Sequence, residues 1–288
     1  MTLDPTDIRC VVRDAAAELE KAGVPEANVS AEFLLSELLE IGRAEVLASR
    51  ISLSEEQRLI YNSWISRRKQ REPVQRILDY AYFRRLKLEL NEETLIPRSD
   101  TESVVDAALE AVDEHSGGCR VLDLGTGSGA IAISVAQERP QCEVYATDTS
   151  ETALEAARRN AENAGARIQF HLGDLFAGLK GLQGKISLLV SNPPYVRNAD
   201  LPDLDPEVRD WDPHPALDGG PDGLSFYRRI FQESGPLLED GADVVLEVGD
   251  GQEKAVSELG REAGFVSVGM RQDLTGTPRA VLLKRERK

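Results

Sequence analysis

"DLGTGSGA" (residues 123–130) decides how this chain folds. The apolar run "RVLDL" (120–124) leads into it and "GAIAISVAQE" (129–138) leads out, so a glycine loop joins a buried strand to a helix. Glycine at 125, 127 and 129 permits positive φ and lets the backbone approach a ligand with no Cβ in the way. Beyond this unit, strands and helices keep alternating. "EVYATD" (143–148), "RIQFHLGD" (167–174), "ISLLVSN" (186–192) and "DVVLEVG" (243–249) read as four further strands. "FVSVGM" (265–270) and "RAVLLKRE" (279–286) read as a terminal antiparallel pair. The expectation is an α/β domain with a seven-stranded, mostly parallel sheet covered on both faces. Such a sheet binds ligands at the carboxyl ends of its strands, where strand order reverses. That rule makes Asp123 to Gly129, Asp148, Asp174 and Asn192 the candidate residues.

The loop alone does not choose the cofactor. With Ala130 standing for the last glycine it also satisfies the dinucleotide fingerprint, and Asp148 is placed for ribose hydroxyls in either case. Two features favour S-adenosylmethionine over a nicotinamide cofactor. Asp123 precedes the loop, where a carboxylate suits a cationic methionine group better than a pyrophosphate. "GDLF" (173–176) adds a second acidic strand end, with Asp174 to accept from an adenine amino group and Leu175 or Phe176 to pack on the ring.

The fourth of these strands ends in "SNPPYVR" (191–197). Proline has no N–H, so the ladder stops there. Each residue before a proline is held extended, which stiffens both Asn192 and Pro193. The Asn192 side-chain oxygen and the Pro193 carbonyl then form two acceptors for one planar NH₂ group. Holding both N–H bonds orients the nitrogen toward an electrophilic methyl and offsets the charge that develops on it. Tyr195 is expected to pack over the planar substrate. No strong base is legible in the sequence.

The first 78 residues read as helices. "DPTD" (4–7) offers Asp4 as N-cap with Asp7 at the third helical position, Phe33 to Leu39 carry a buried stripe, and "SEEQ" (54–57) is a capping box. From Tyr80 to Ile96 an alternating stretch and a turn predict a β-hairpin. The division expected is a helical-bundle domain (1–78), a hairpin linker (79–97) and an α/β domain (98–288). The net charge of −16 argues against gripping nucleic acid through its phosphates, and the basic stretch "SRRKQREPVQR" (66–76) reads as solvated surface. His115, His171 and His214 are isolated, expected on the surface or in loops, and no metal site is legible. The three cysteines are far apart, with no C-x-x-C pair, and predict reduced thiols in a cytoplasmic protein. No apolar run is long enough for a membrane span.

The chain resembles the HemK/PrmC enzymes, and the resemblance covers nearly all of it. It is carried by "LIPRSDTE" (95–102), "VLDLGTGSGAIAIS" (121–134), "SNPPYV" (191–196), "ALDGGPDGLSFYRRI" (216–230) and "DLTGTPRAV" (273–281). The resemblance implies a class I, Rossmann-like methyltransferase domain. It implies methylation by S-adenosylmethionine, released as S-adenosylhomocysteine, of the glutamine side-chain amide in the Gly-Gly-Gln motif of a peptide chain release factor. It places cofactor on Asp123, Gly125, Thr126, Gly127, Ser128, Gly129, Asp148, Asp174, Leu175 and Asn192. It places the substrate glutamine on Asn192, Pro193, Pro194 and Tyr195. The helical domain would help recognise the release factor. The chain departs from the family's pattern at Arg71, near Asp79 and at Arg84 or Arg85, where glycine is usual, at Ser99, where proline is usual, and at Leu175, where an aromatic ring is common. Three rival readings are an amino methyltransferase with another target, such as adenine or a ribosomal-protein glutamine, an NAD(P) oxidoreductase, and a non-catalytic binding module.

Overall fold

The computed structural model describes residues 7–49, 51–115, 118–179 and 181–287. They form two compact units that divide between Asp79 and Tyr80.

The first unit is helical: α1 (Ile8–Lys21), α2 (Ala27–Leu39), α3 (Arg43–Ala48), α4 (Glu55–Lys69) and α5 (Val74–Leu78). Ile8, Leu19, Leu34, Leu35, Val46 and Ile65 make its core. Tyr61 is buried there and its hydroxyl donates to the Ala31 carbonyl at 2.9 Å. The capping box forms, with Ser54 and Gln57 bonded reciprocally. At α1 the expected cap shifts. Asp7 is the N-cap itself and accepts from the Arg9 N–H at 3.0 Å; Asp4 and Pro5 lie outside the described residues.

The basic stretch 66–76 is only partly solvated: Ser66, Lys69 and Gln70 are exposed, but several of its arginines are engaged. Arg67 forks onto Glu72 at 2.8 and 2.5 Å. Arg68, only 5% exposed, reaches Ser30 Oγ and the Glu72 carbonyl, and Arg76 is buried as well. These guanidiniums fasten the end of α4 to α5, which explains a basic run that the sequence alone assigns to the surface.

The second unit opens with a hairpin, β1 (Tyr80–Phe83) and β2 (Leu86–Glu89), followed by α6 (Glu102–Asp113). The alternation then runs β3 (Arg120–Leu124), α7 (Ala130–Glu138), β4 (Glu143–Asp148), α8 (Glu151–Ala164), β5 (Ile168–Leu172) and β6 (Ile186–Ser191). Two short helices, α9 (Pro206–Arg209) and α10 (His214–Leu217), precede α11 (Ser225–Ser234), β7 (Leu238–Glu247), α12 (Glu253–Glu262), β8 (Phe265–Gln272) and β9 (Pro278–Arg285). The seven-stranded sheet has the order β5-β4-β3-β6-β7-β9-β8. Its first five strands are parallel, and β9 runs antiparallel to both β7 and β8. Alternate strand residues feed two apolar layers. Val121, Leu188 and Val190 pack with α6 and α7, while Leu122, Leu189 and Val244 pack with α11 and α12.

Asn160 on α8 docks the hairpin. It accepts from the Glu89 N–H at 2.7 Å, and its amide donates to the Glu89 and Ser128 carbonyls at 3.0 and 2.9 Å. One buried side chain thus ties β2 both to a helix and to the glycine loop.

Two expectations need correction. Cys119 and Cys142 form a disulfide, because they precede neighbouring parallel strands and Glu143 N–H bonds the Cys119 carbonyl; Cys10 is free and buried. Two of the three histidines are also engaged. His171 lies in β5, stacked on Tyr145, and half-buried His115 meets Asp243 at 3.0 Å. Among the described residues no helix is long and apolar enough to cross a membrane.

Replacing Asn160 with Ala strands the Glu89 N–H. Urea unfolding should show a loss of about 1–3 kcal/mol, the cost of a buried polar group without its partner.

Candidate active site

Register brings the chemistry together. Leu124, the last residue of β3, lies opposite Thr147 on one side and Ser191 on the other. Order reverses here, since β4 continues the sheet one way and β6 the other. The N–H groups of Gly125 and Thr126 both donate to the Thr147 carbonyl, at 2.9 and 3.0 Å. Gly125 and Gly127 have φ of +67° and +54°, and a Cβ on either would meet open space. Gly129 serves packing instead: a Cβ there would lie 2.8 Å from Ile133 Cδ1.

Asp123 lies beneath the loop, 1% exposed. Its Oδ2 accepts from the Thr126 hydroxyl at 2.6 Å and the Ala132 N–H at 3.2 Å. Its Oδ1 is buried with no partner. Burial pushes its pKa up to about 7, against the pull of those two donors. Asp148 accepts from the Gly127 N–H at 2.8 Å and the Ser150 N–H at 3.0 Å. Asp174 takes a two-pronged bond from Arg229, 3.0 Å on each arm.

A cavity of about 330 Å³ opens over these strand ends. Gly125, Gly127, Asp148, Asp174, Leu175, Asn192, Pro193 and Pro194 line it, all expected from sequence. Asp123, Thr126, Ser128, Gly129 and Tyr195 do not line it, and the first two act on the loop from below. Glu93, Leu95, Thr149, Ser150, Pro213, Pro215, Ala216, Phe226 and Arg229 also border it. None of these was singled out from sequence, although the i,i+3 spacing of Phe226 and Arg229 on one helix face within "SFYRRI" is a signal that could have found two of them. The prolines sit in the acidic stretch after β6, where nothing in the pattern marks them.

At the Asn-Pro-Pro corner, Asn192 Nδ2 donates to Thr101 Oγ1 at 3.3 Å. Asn192 and Pro193 both line the cavity, and no described residue donates to Asn192 Oδ1 or the Pro193 carbonyl. Tyr195 turns the other way. Its ring packs beside Gly249 and its hydroxyl points to Glu247 Oε1 at 3.4 Å.

The remaining motifs clasp this corner. The N–H of Val196 donates to the Leu217 carbonyl, and the N–H of Gly219 donates back to the Val196 carbonyl, at 2.9 and 2.8 Å. A Cβ on Gly219 would lie 2.7 Å from Tyr195 Cα, so "LDGG" can press on the corner only as glycine. Arg98 holds fully buried Asp212 at 2.5 Å, and Arg279 bridges Asp100 and Asp273.

A glycine loop at the switch point of a seven-stranded sheet, with an Asn-Pro-Pro-Tyr corner on the adjacent strand, defines a class I methyltransferase. Family comparisons agree. Residues 103–203 match the methyltransferase small domain and residues 11–78 match the PrmC N-terminal domain. A release factor glutamine methyltransferase of Geobacter sulfurreducens is 38% identical over 95% of this chain and 95% of its own length. That of Moorella thermoacetica is 40% identical over 89% of this chain and 90% of its own. The chain belongs to the release factor glutamine methyltransferase family. A solved methyltransferase from Pyrococcus furiosus shares the fold, with a TM-score of 0.50 and 19% identity, covering 80% of this chain and 98% of that one.

Two outcomes follow from this geometry. Asp123 and Glu247 are both buried carboxyls raised to about 7, so the folded state holds their protons more tightly than the unfolded chain does. Their contribution is fully present below the ordinary carboxylate pKa and is lost as pH rises through about 7. Unfolding measured against pH should therefore show stability falling over that window, with a shallower fall in Asp123→Asn. Gly219→Ala forces the corner off its clasp; turnover should drop by about 100-fold, the cost of an ångström-scale misplacement.

Proposed function

We propose that this enzyme transfers the methyl group of S-adenosylmethionine to the side-chain amide nitrogen of the glutamine in the Gly-Gly-Gln motif of a peptide chain release factor, leaving S-adenosylhomocysteine while the amide gives up one N–H proton to solvent. One observation carries the reading: Asn192 and Pro193, whose side-chain and backbone carbonyl oxygens no described residue claims, line the same cavity as the glycine loop. That pair fits the two N–H bonds of a primary amide.

The site also fits the cofactor. Asp123 Oδ1 is buried and unpartnered under the loop, so a nearby cation would favour its charged form. Gly125 and Gly127 leave the loop backbone open to a ligand. Asp148 is fixed by two backbone donors yet still borders the cavity, where its remaining lone pairs suit ribose hydroxyls. Asp174 and Leu175 border the end where an adenine would lie. When bound, S-adenosylmethionine supplies an electrophilic methyl group.

The chain's own residues supply position. Asn192 and Pro193 accept the two amide N–H bonds, which turns the nitrogen toward the methyl donor and offsets the positive charge that grows during transfer. Pro193 and Pro194 fix the backbone that carries these acceptors, so little freedom is lost on binding. Tyr195 backs the corner from within the fold. The helical unit helps recognise the release factor, and the enzyme works in the cytoplasm, where that substrate is found.

Purified enzyme, methyl donor and release factor, followed by peptide mass spectrometry, test the substrate. Methylation of the Gly-Gly-Gln glutamine is expected; good cofactor binding with no transfer would remove the release factor assignment. Asn192→Ala should lower kcat by about 100- to 1,000-fold, as losing a preorganised polar contact to developing charge does. Its cofactor affinity should stay close to that of the unaltered enzyme.

A further inference from the structure

One carboxamide behind the Asn-Pro-Pro-Tyr corner touches three separate stretches of chain. Gln252 stands immediately before α12 and is the N-cap of that helix, its backbone carbonyl accepting from the Val256 N–H. Its side chain does no capping. Instead Nε2 donates to the Tyr195 carbonyl at 3.0 Å and, more loosely, to the Gly223 carbonyl at 3.5 Å. Oε1 accepts from the Gly249 N–H at 3.0 Å. The end that meets two carbonyls must be nitrogen and the end that meets an N–H must be oxygen, so the neighbours fix which way the group points.

The packing around this group leaves no slack. A Cβ on Gly223 would lie 2.4 Å from the Tyr195 carbonyl oxygen and 2.6 Å from Gln252 Nε2. One on Gly249 would lie 2.8 Å from Gln252 Oε1 and 3.0 Å from Tyr195 Cδ2. Both neighbours can therefore be no larger than glycine. An N-cap side chain ordinarily serves the first-turn N–H groups of its own helix. Here it is directed at the corner, which stability of α12 does not explain.

The peptide between Tyr195 and Val196 is held at both poles. Gln252 binds its carbonyl at 3.0 Å, and its N–H donates to the Leu217 carbonyl at 2.9 Å. A planar peptide fixed at both ends cannot rotate. Upstream, the Pro194 ring fixes its own φ, so few free torsions separate this peptide from the Pro193 carbonyl.

We propose that Gln252 is a positioning residue for the methyl transfer: its carboxamide locks the Tyr195–Val196 peptide and thereby aims the Pro193 carbonyl at the substrate NH₂. The inference rests on the function proposed above and deepens it, since it concerns the second acceptor of the amide clamp. Without the Nε2 donor only Leu217 holds the peptide, and the Pro193 carbonyl loses its direction. The substrate nitrogen then keeps one of its two acceptors and swings out of line with the methyl group. The glycine loop and Asp148 are not among the partners of the Gln252 side chain, so the loss falls on kcat and not on cofactor binding.

Gln252→Glu and Gln252→Met test this through kcat, KM for release factor, cofactor Kd and melting temperature. Gln252→Glu keeps an acceptor for Gly249 but sets a carboxylate against the Tyr195 carbonyl; Gln252→Met keeps the length and loses both bonds. Each should lower kcat by about 100-fold, as an ångström-scale misplacement does, with KM and cofactor Kd close to those of the unaltered enzyme. Added to Asn192→Ala, either change should lower kcat by a smaller factor than it does alone, because groups that act as one clamp are not additive. Unaltered kcat in either folded variant would overturn the positioning role. So would a loss that appears in cofactor Kd instead of kcat, full multiplication of the two losses, or failure of both variants to fold. Cofactor binding without any transfer in the unaltered enzyme would overturn the functional reading, and this inference with it.

Discussion

The Ser191 hydroxyl donates to the Leu124 carbonyl at 2.7 Å, across the ladder where these two residues face each other. Leu124 is the last residue before the glycine loop, and Ser191 is the last before Asn-Pro-Pro-Tyr. This side-chain bond, added to the parallel register, fixes two otherwise independent loops side by side. On its other flank β3 pairs with β4, whose Thr147 carbonyl gathers two N–H groups of the glycine loop. The groups proposed for binding and transfer therefore sit on neighbouring strand ends, held by backbone geometry rather than by flexible connections.

Placement and support are divided between different parts of the chain. The strand ends supply the groups proposed to meet ligand, and the loops around them supply stiffness. Pro193 and Pro194 close the ladder and keep two acceptors out of sheet pairing. Gly219 lets the "LDGG" segment lie directly on the Tyr195 backbone, and Gln252 donates to the Tyr195 carbonyl at 3.0 Å. Arg98 with Asp212, and Arg279 with Asp100 and Asp273, fasten three distant stretches behind the same corner. Replacing Arg98 would take an ion-pair partner from Asp212, whose side chain is fully buried, so this side of the pair tolerates little change.

Period and punctuation made most of the fold legible. The strands "RVLDL", "EVYATD" and "ISLLVSN" occupy the places their apolar runs predict, because buried parallel strands read as near-continuous hydrophobic stretches. The glycine loop, Asp148 and Asn192 were legible as cavity-lining positions because each sits at a strand end. What was not legible depends on neighbours far away in the chain. Cys119 and Cys142 look unrelated until β3 and β4 lie adjacent. Asp174 reads as a free acceptor until α11 brings Arg229 to it. Tyr195 reads as a substrate platform, yet its direction is set by Glu247 and Gly249, which no local pattern reveals. The resemblance flagged missing glycines at Arg71, near Asp79 and at Arg84 or Arg85. Arg71, Asp79 and Arg84 keep the left-handed backbone, with φ of +67°, +60° and +52°, so the turns persist without the residue that suits them best.

The most direct test is a crystal structure of the enzyme with S-adenosylhomocysteine and a glutamine-bearing release factor peptide. The glutamine amide nitrogen is expected within hydrogen-bond distance of both Asn192 Oδ1 and the Pro193 carbonyl, with the cofactor sulfur in line beyond it. A glutamine amide bound elsewhere in the cavity, or an Asn192 that turns its nitrogen toward the substrate, would contradict the corner's role as a clamp on the amide.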